Sequence, residues 1–210
     1  MNFQILGRIA GVLAITAGLA GCVDVDAEIE VLSETTGKAT TSMTMSSEIY
    51  PMLKEMTQSG GDQADSDFCE EEGDVLTENA DGSATCLSVK EGQLSELTKN
   101  DDGSTGDDMT FTVVRPGVVR VGFKTNELTS DVTKGSEGAS GAETAQALAM
   151  MRPYFEDRTI KIRIKGKKII ESNMTLSGDG RSAETSLLWT DLLDGTATAP
   201  EELFAVVDTN

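Results

Sequence analysis

The chain contains no histidine. That absence removes the commonest general base and the commonest zinc ligand together. No Ser-His, Cys-His or histidine-based zinc-protease constellation can be assembled from it. Basic residues are also in short supply, 17 against 36 acidic ones, for a formal net charge of −19. A chain of that balance repels nucleic acid and anionic membrane surfaces, which argues against a DNA- or RNA-binding role. No G-x-x-x-x-G-K, G-x-S-x-G or G-x-G-x-x-G motif occurs in the context it needs. Ser130 and Lys134 lie four apart, but spacing alone does not give a Ser-Lys dyad its geometry. The chain therefore reads as non-enzymatic, with no cofactor expected.

Long apolar runs are lacking too. The longest at the amino end, Ile9 to Ala20, has twelve residues, too few for a spanning helix, which needs about 20. With Arg8 ahead of it and small residues behind, it has signal-peptide anatomy. Leu19, Ala20, Gly21 and Cys22 then resemble the lipobox of bacterial lipoproteins. The expectation is that residues 1–21 are removed and Cys22 becomes an acylated amino terminus, since several acyl chains are needed for stable anchoring. An ordinary secretory signal with a chance cysteine is the alternative. Val23 stands where inner-membrane lipoproteins commonly carry aspartate, which favours an outer-membrane destination facing the periplasm. Cleavage would leave 189 of the 210 residues, a single domain, with 16 basic residues because Arg8 is the only charge lost.

Two cysteines remain, Cys69 and Cys86. In an oxidising periplasm they are expected to pair, closing a short loop that is worth about 3 kcal/mol. A metal site is the alternative, but two lone thiols do not make one.

Alternation dominates what is present. Val23, Val25, Ala27, Ile29 and Val31 alternate with Asp24, Asp26, Glu28 and Glu30, a strand with one buried and one acidic face. Ala39 to Met45 returns as its hairpin partner, and Ile49, Met52, Leu53 and Met56 recur at helical spacing. Further hairpins are read at Asp74–Thr77 with Ser83–Val89, the disulfide lying across them, and at Met109–Arg115 with Val118–Lys124 around Pro116-Gly117. A short helix is read at Gln93–Lys99. Another is read at Asn126–Thr133, and Ala142–Met151 reads as a helix stopped by Pro153. Ile160, Ile162 and Ile164 alternate with Lys161, Arg163 and Lys165. Lys168–Leu176 is read as the partner of that strand across Gly166, Ser182–Trp189 as another strand, and Pro200–Val207 as a capped turn ending apolar. The expected fold class is α+β: one antiparallel sheet built of hairpins, with helices packed on one face.

The layout Cys22-Val23-Asp24-Val25-Asp26, then a hairpin and helix, then Asp179-Gly180-Arg181-Ser182, a strand ending in Trp189 and an acidic-leucine turn at Asp191 to Gly195, resembles the LppM-type bacterial lipoprotein domain. The resemblance implies an α+β fold and lipid or glycolipid binding. It brings no catalytic residues.

Three clusters bear on function. Arg158, Lys161, Arg163, Lys165, Lys167 and Lys168 place six basic residues in eleven positions, with Lys161, Arg163 and Lys165 on one strand face. That stripe offers a contact for an anionic headgroup, or internal pairing with Asp24, Asp26, Glu28 and Glu30. The acidic loop Asn100 to Asp108 fails the calcium-loop spacing, because Thr98 and Met109 fall at positions 1 and 12. Eight methionines, Met43, Met45, Met52, Met56, Met109, Met150, Met151 and Met174, suit either a pliable apolar pocket or plain core filling. Two functions follow from this: binding of a lipid or other amphiphile in a pocket between sheet and helices, or an adaptor role contacting another envelope protein. An apolar cavity favours the first, and a filled core with an exposed apolar patch favours the second.

Overall fold

The computed structural model describes residues 23–58, 68–69, 73–98, 109–125, 152–153, 155–194 and 196–210. The signal segment, Cys22, the loop 100–108, Ser130, Lys134 and the helices read at 126–133 and 142–151 lie outside the described residues.

Strict alternation produces strands where it was read. β1 (Val23–Val31) pairs antiparallel with β2 (Thr36–Met45), Val23 opposite Met45 and Val31 opposite Gly37. β3 (Val75–Glu78) and β4 (Ala84–Gln93) extend this sheet on the β2 side. On the other side of β1 the order continues through β7 (Thr159–Lys165), β10 (Ser182–Leu188) and β9 (Thr175–Leu176). The β1–β7 pairing is parallel, so this seven-stranded sheet is mixed rather than antiparallel.

There is also a second sheet. β5 (Met109–Arg115), β6 (Val118–Lys124), β11 (Glu202–Asp208) and β8 (Lys168–Ser172) form four antiparallel strands in that order. The single sheet expected from the sequence is thus corrected to two, and so is the expected pairing of Lys168–Leu176 with β7. After β7 the chain crosses at Gly166 and enters the other sheet, where β8 pairs with β11. The crossing is tight: a Cβ at Gly166 would stand 2.2 Å from Val207 Cγ1. The carboxyl segment read as a turn is the strand β11, at the centre of that sheet.

The inward residues of both sheets merge into one core. Val25, Ile29, Ile160 and Ile164 from the larger sheet meet Val119, Val121, Leu203 and Val207 from the smaller. A fully buried side chain of this size contributes about 1.5–3 kcal/mol. Among the described residues, the layer facing the larger sheet is therefore the smaller sheet. The described helices are short: α1 (Tyr50–Gln58), α2 (Leu94–Leu97) and α3 (Trp189–Leu193). They close the margins of the core through Leu53, Leu94, Leu97, Trp189 and Leu192.

Candidate functional site

The cationic stripe lies on the outward face of the seven-stranded sheet. Parallel register sets Lys161 beside Asp26, Arg163 beside Glu28 and Lys165 beside Glu30. Lys161 Nζ is 3.2 Å from Asp26, and Lys165 Nζ is 3.5 Å from Glu30 and 3.8 Å from Glu28. Arg163 bridges two strands, 3.2 Å from Glu28 on β1 and 2.9 Å from Glu184 on β10. Its hydrogen bond to Glu184 raises its pKa further above an already basic value. Arg158 continues the ladder to Asp24 at 2.8 Å, while the other oxygen of Asp24 accepts the Thr159 N–H. These charges are spent on the register of three strands. The arrangement is the internal pairing weighed above, and it leaves Lys161, Arg163 and Lys165 engaged with carboxylates.

Cys69 and Cys86 form a disulfide with Cα atoms 5.3 Å apart. Cys86 is buried in β4, and Cys69 follows Phe68, whose ring meets that of Tyr50 at 6.3 Å. The bridge therefore joins the segment ahead of β3 to the beginning of β4, with Leu76 of β3 opposite Cys86.

A cavity of about 550 Å³ opens on the side where β5 is the edge strand of the smaller sheet among the described residues. One wall is Met109 to Val113, five consecutive residues along that edge. Val119 of β6 forms part of the floor. The opposite wall comes from the β1–β2 turn (Glu34, Thr35) and from the end of β4 with α2 (Gln93, Leu94, Ser95, Thr98). Glu34 is held in place by accepting the Gly117 N–H, and Gly117 occupies the left-handed region at φ 75° that its turn requires. Apolar surface comes from Met109, Phe111 and Val113, backed by the buried Leu94 and Val119, and polar groups stand around it. Lys124 supplies a cation and Glu34 an anion within the same lining.

The pocket expected from the sequence lies between sheet and helices. The groove instead runs between the edge of one sheet and the turn and helix at the end of the other. Of the methionines, Met109 lines it, Met45 and Met174 are core, and Met52 is exposed. Trp189 is core. Phe204 lies on the outward face of the smaller sheet under Arg120, whose guanidinium carbon is 4.5 Å from the ring centroid. Arg120 also makes a two-pronged contact with Glu202 at 2.8 and 2.7 Å, which holds the Glu202 carboxyl below the usual carboxylate range.

No family model and no curated protein matches this chain. Among solved structures it is similar to the NMR structure of the folded domain of Mycobacterium tuberculosis LppM. The TM-score is 0.44 at 9% identity, over 89% of this chain and 90% of that one.

Proposed function

We propose that this chain is a non-enzymatic binding protein of the bacterial envelope that holds one amphiphile in the groove beside β5. The observation that supports it is the groove itself. Its volume of about 550 Å³ falls in the ~300–1,000 Å³ span of small-molecule sites, and its apolar wall with a few polar groups is the usual chemistry of such sites. In this reading Cys22 carries the lipid anchor, on the periplasmic face of the outer membrane. Because β1 starts at Val23 and runs nine residues to the turn before Glu34, the Glu34 end of the groove stands ~30 Å from the anchor. The ligand is thus offered away from the membrane that holds the protein.

Val113→Trp tests the site. Val113 is 49% exposed, so an indole there fills the groove at little cost to folding. A fluorescent single-chain fatty-acyl probe is expected to bind the parent and to lose at least about tenfold in affinity for the variant, a cost of ~1.4 kcal/mol. Equal binding by both would remove the groove from the account.

One observation favours an adaptor role as the second reading. Val75, Leu87 and Val89 share the outward face at the β3 edge and are 55%, 37% and 47% exposed. All four residues of β3 are exposed, and such an edge accepts an added strand from a partner.

A further inference from the structure

The sequence offers two thiols besides Cys22, and the fold adds a carboxylate to them. Asp74, half-buried just ahead of β3, places Oδ2 3.7 Å from Cys86 Sγ. The two Sγ atoms and a carboxylate oxygen of Asp74 all lie within 4.8 Å of one another. In a tetrahedral zinc site, with Zn–S near 2.3 Å and Zn–O near 2.1 Å, a sulfur and an oxygen donor stand about 3.6 Å apart and two sulfurs about 3.8 Å apart. The Asp74–Cys86 separation already has that value. The two sulfurs must part, which breaking their bond allows, and the Cys69 sulfur starts within 4.8 Å of the Asp74 oxygen.

We propose that the reduced protein binds one Zn²⁺ through Cys69, Asp74 and Cys86, with water as the fourth ligand. Disulfide and metal site are then alternative states of the same residues. A dithiol reductant opens the bridge: its thiolate attacks one sulfur, the mixed disulfide resolves, and the products are two protein thiols and the oxidised reductant. Zn²⁺ next displaces both thiol protons, two Zn–S bonds form, and the Asp74 carboxylate supplies the third bond. Two thiolates and one carboxylate suit a borderline-soft ion of this kind better than calcium or magnesium. The metal keeps Phe68 and Cys69 clamped to β4 when the disulfide is lost.

The test uses the chain from Val23 onward, which holds every described element, reduced with a phosphine that does not bind zinc. Calorimetry with Zn²⁺ is expected to show one equivalent bound and protons released, and Co²⁺ to develop a thiolate charge-transfer band. The oxidised protein is expected to show neither. Asp74→Asn leaves the disulfide intact under oxidation, yet is expected to weaken Zn²⁺ binding in the reduced form by at least about tenfold. Binding no stronger than that of a Cys69→Ser, Cys86→Ser double variant would overturn the proposal. So would equal affinity in Asp74→Asn, or a reduced chain whose lost circular dichroism Zn²⁺ fails to restore.

Discussion

The indole Nε1 of Trp189 donates to the backbone carbonyl of Val23 at 2.9 Å, inside the core and across 166 residues of sequence. Val23 is 2% exposed and already part of β1, so the chain next to Cys22 is locked into the domain without a linker. Replacing Trp189 by Phe keeps a ring beside Phe155, its neighbour at 6.5 Å, but removes the hydrogen bond to the Val23 carbonyl. Trp189→Phe is expected to lower stability by about 1–3 kcal/mol, and Trp189→Ala by about 3–5 kcal/mol, measured by urea unfolding. A Phe variant as stable as the parent would show that the hydrogen bond contributes nothing.

Arg163 ties β1 to β10 through Glu28 and Glu184. These side chains are 37%, 27% and 45% exposed, so solvent screens their attraction. A double-mutant cycle on Arg163 and Glu184 is expected to give a coupling of only about 0.5–1 kcal/mol, shrinking in high salt. Neutralising Lys161, Arg163 and Lys165 should loosen the sheet and leave amphiphile uptake by the groove unchanged. A loss of uptake without loss of stability would return the stripe to a ligand-contact role.

Acid should weaken the fold in a defined direction. The carboxyl of Glu202 is lowered chiefly by its hydrogen bonds from Arg120, and that of Asp194 by those from Arg152. A carboxyl lowered on folding stabilises above its unfolded-state pKa, and that stabilisation is lost as pH falls through the lowered value. Melting temperature is expected to hold level at neutral pH and to drop only below the ordinary carboxylate range. Glu202→Gln should flatten part of that drop, and an unchanged profile would count against the Arg120–Glu202 pair.

Reducing the disulfide without metal is expected to cost about 3 kcal/mol, from the 17-residue separation of Cys69 and Cys86. Urea midpoints with and without reductant measure it.

Local patterning made much of the fold legible. Alternation marked β1 and β7, and the turn at Pro116-Gly117 marked the β5–β6 hairpin with the boundaries later found. Partner choice was not legible, because it is decided by packing between distant segments. Nothing local says that Ile160 will lie beside Val25 in parallel, or that Lys168 turns away from β7 toward Asp208. Alternation of Leu203, Ala205 and Val207 was a strand signal that the preceding proline obscured. The groove was beyond sequence reasoning, since Glu34, Leu94 and Phe111 meet only once both sheets are stacked. Asp74 was equally hidden as a neighbour of Cys86. The pairing of Cys69 with Cys86 was legible from cysteine count and compartment, and the opposite charges of β1 and β7 allowed their pairing as one of two alternatives without saying that the strands are neighbours.

The most direct measurement is mass spectrometry of the chain from Val23 onward, exported to the periplasm, purified without detergent and extracted with organic solvent. One equivalent of a single class of lipid or other amphiphile is expected, absent from the Val113→Trp variant purified alongside. A blank extract that stays blank after incubation with envelope lipids would contradict it, and would shift the function to the exposed β3 edge.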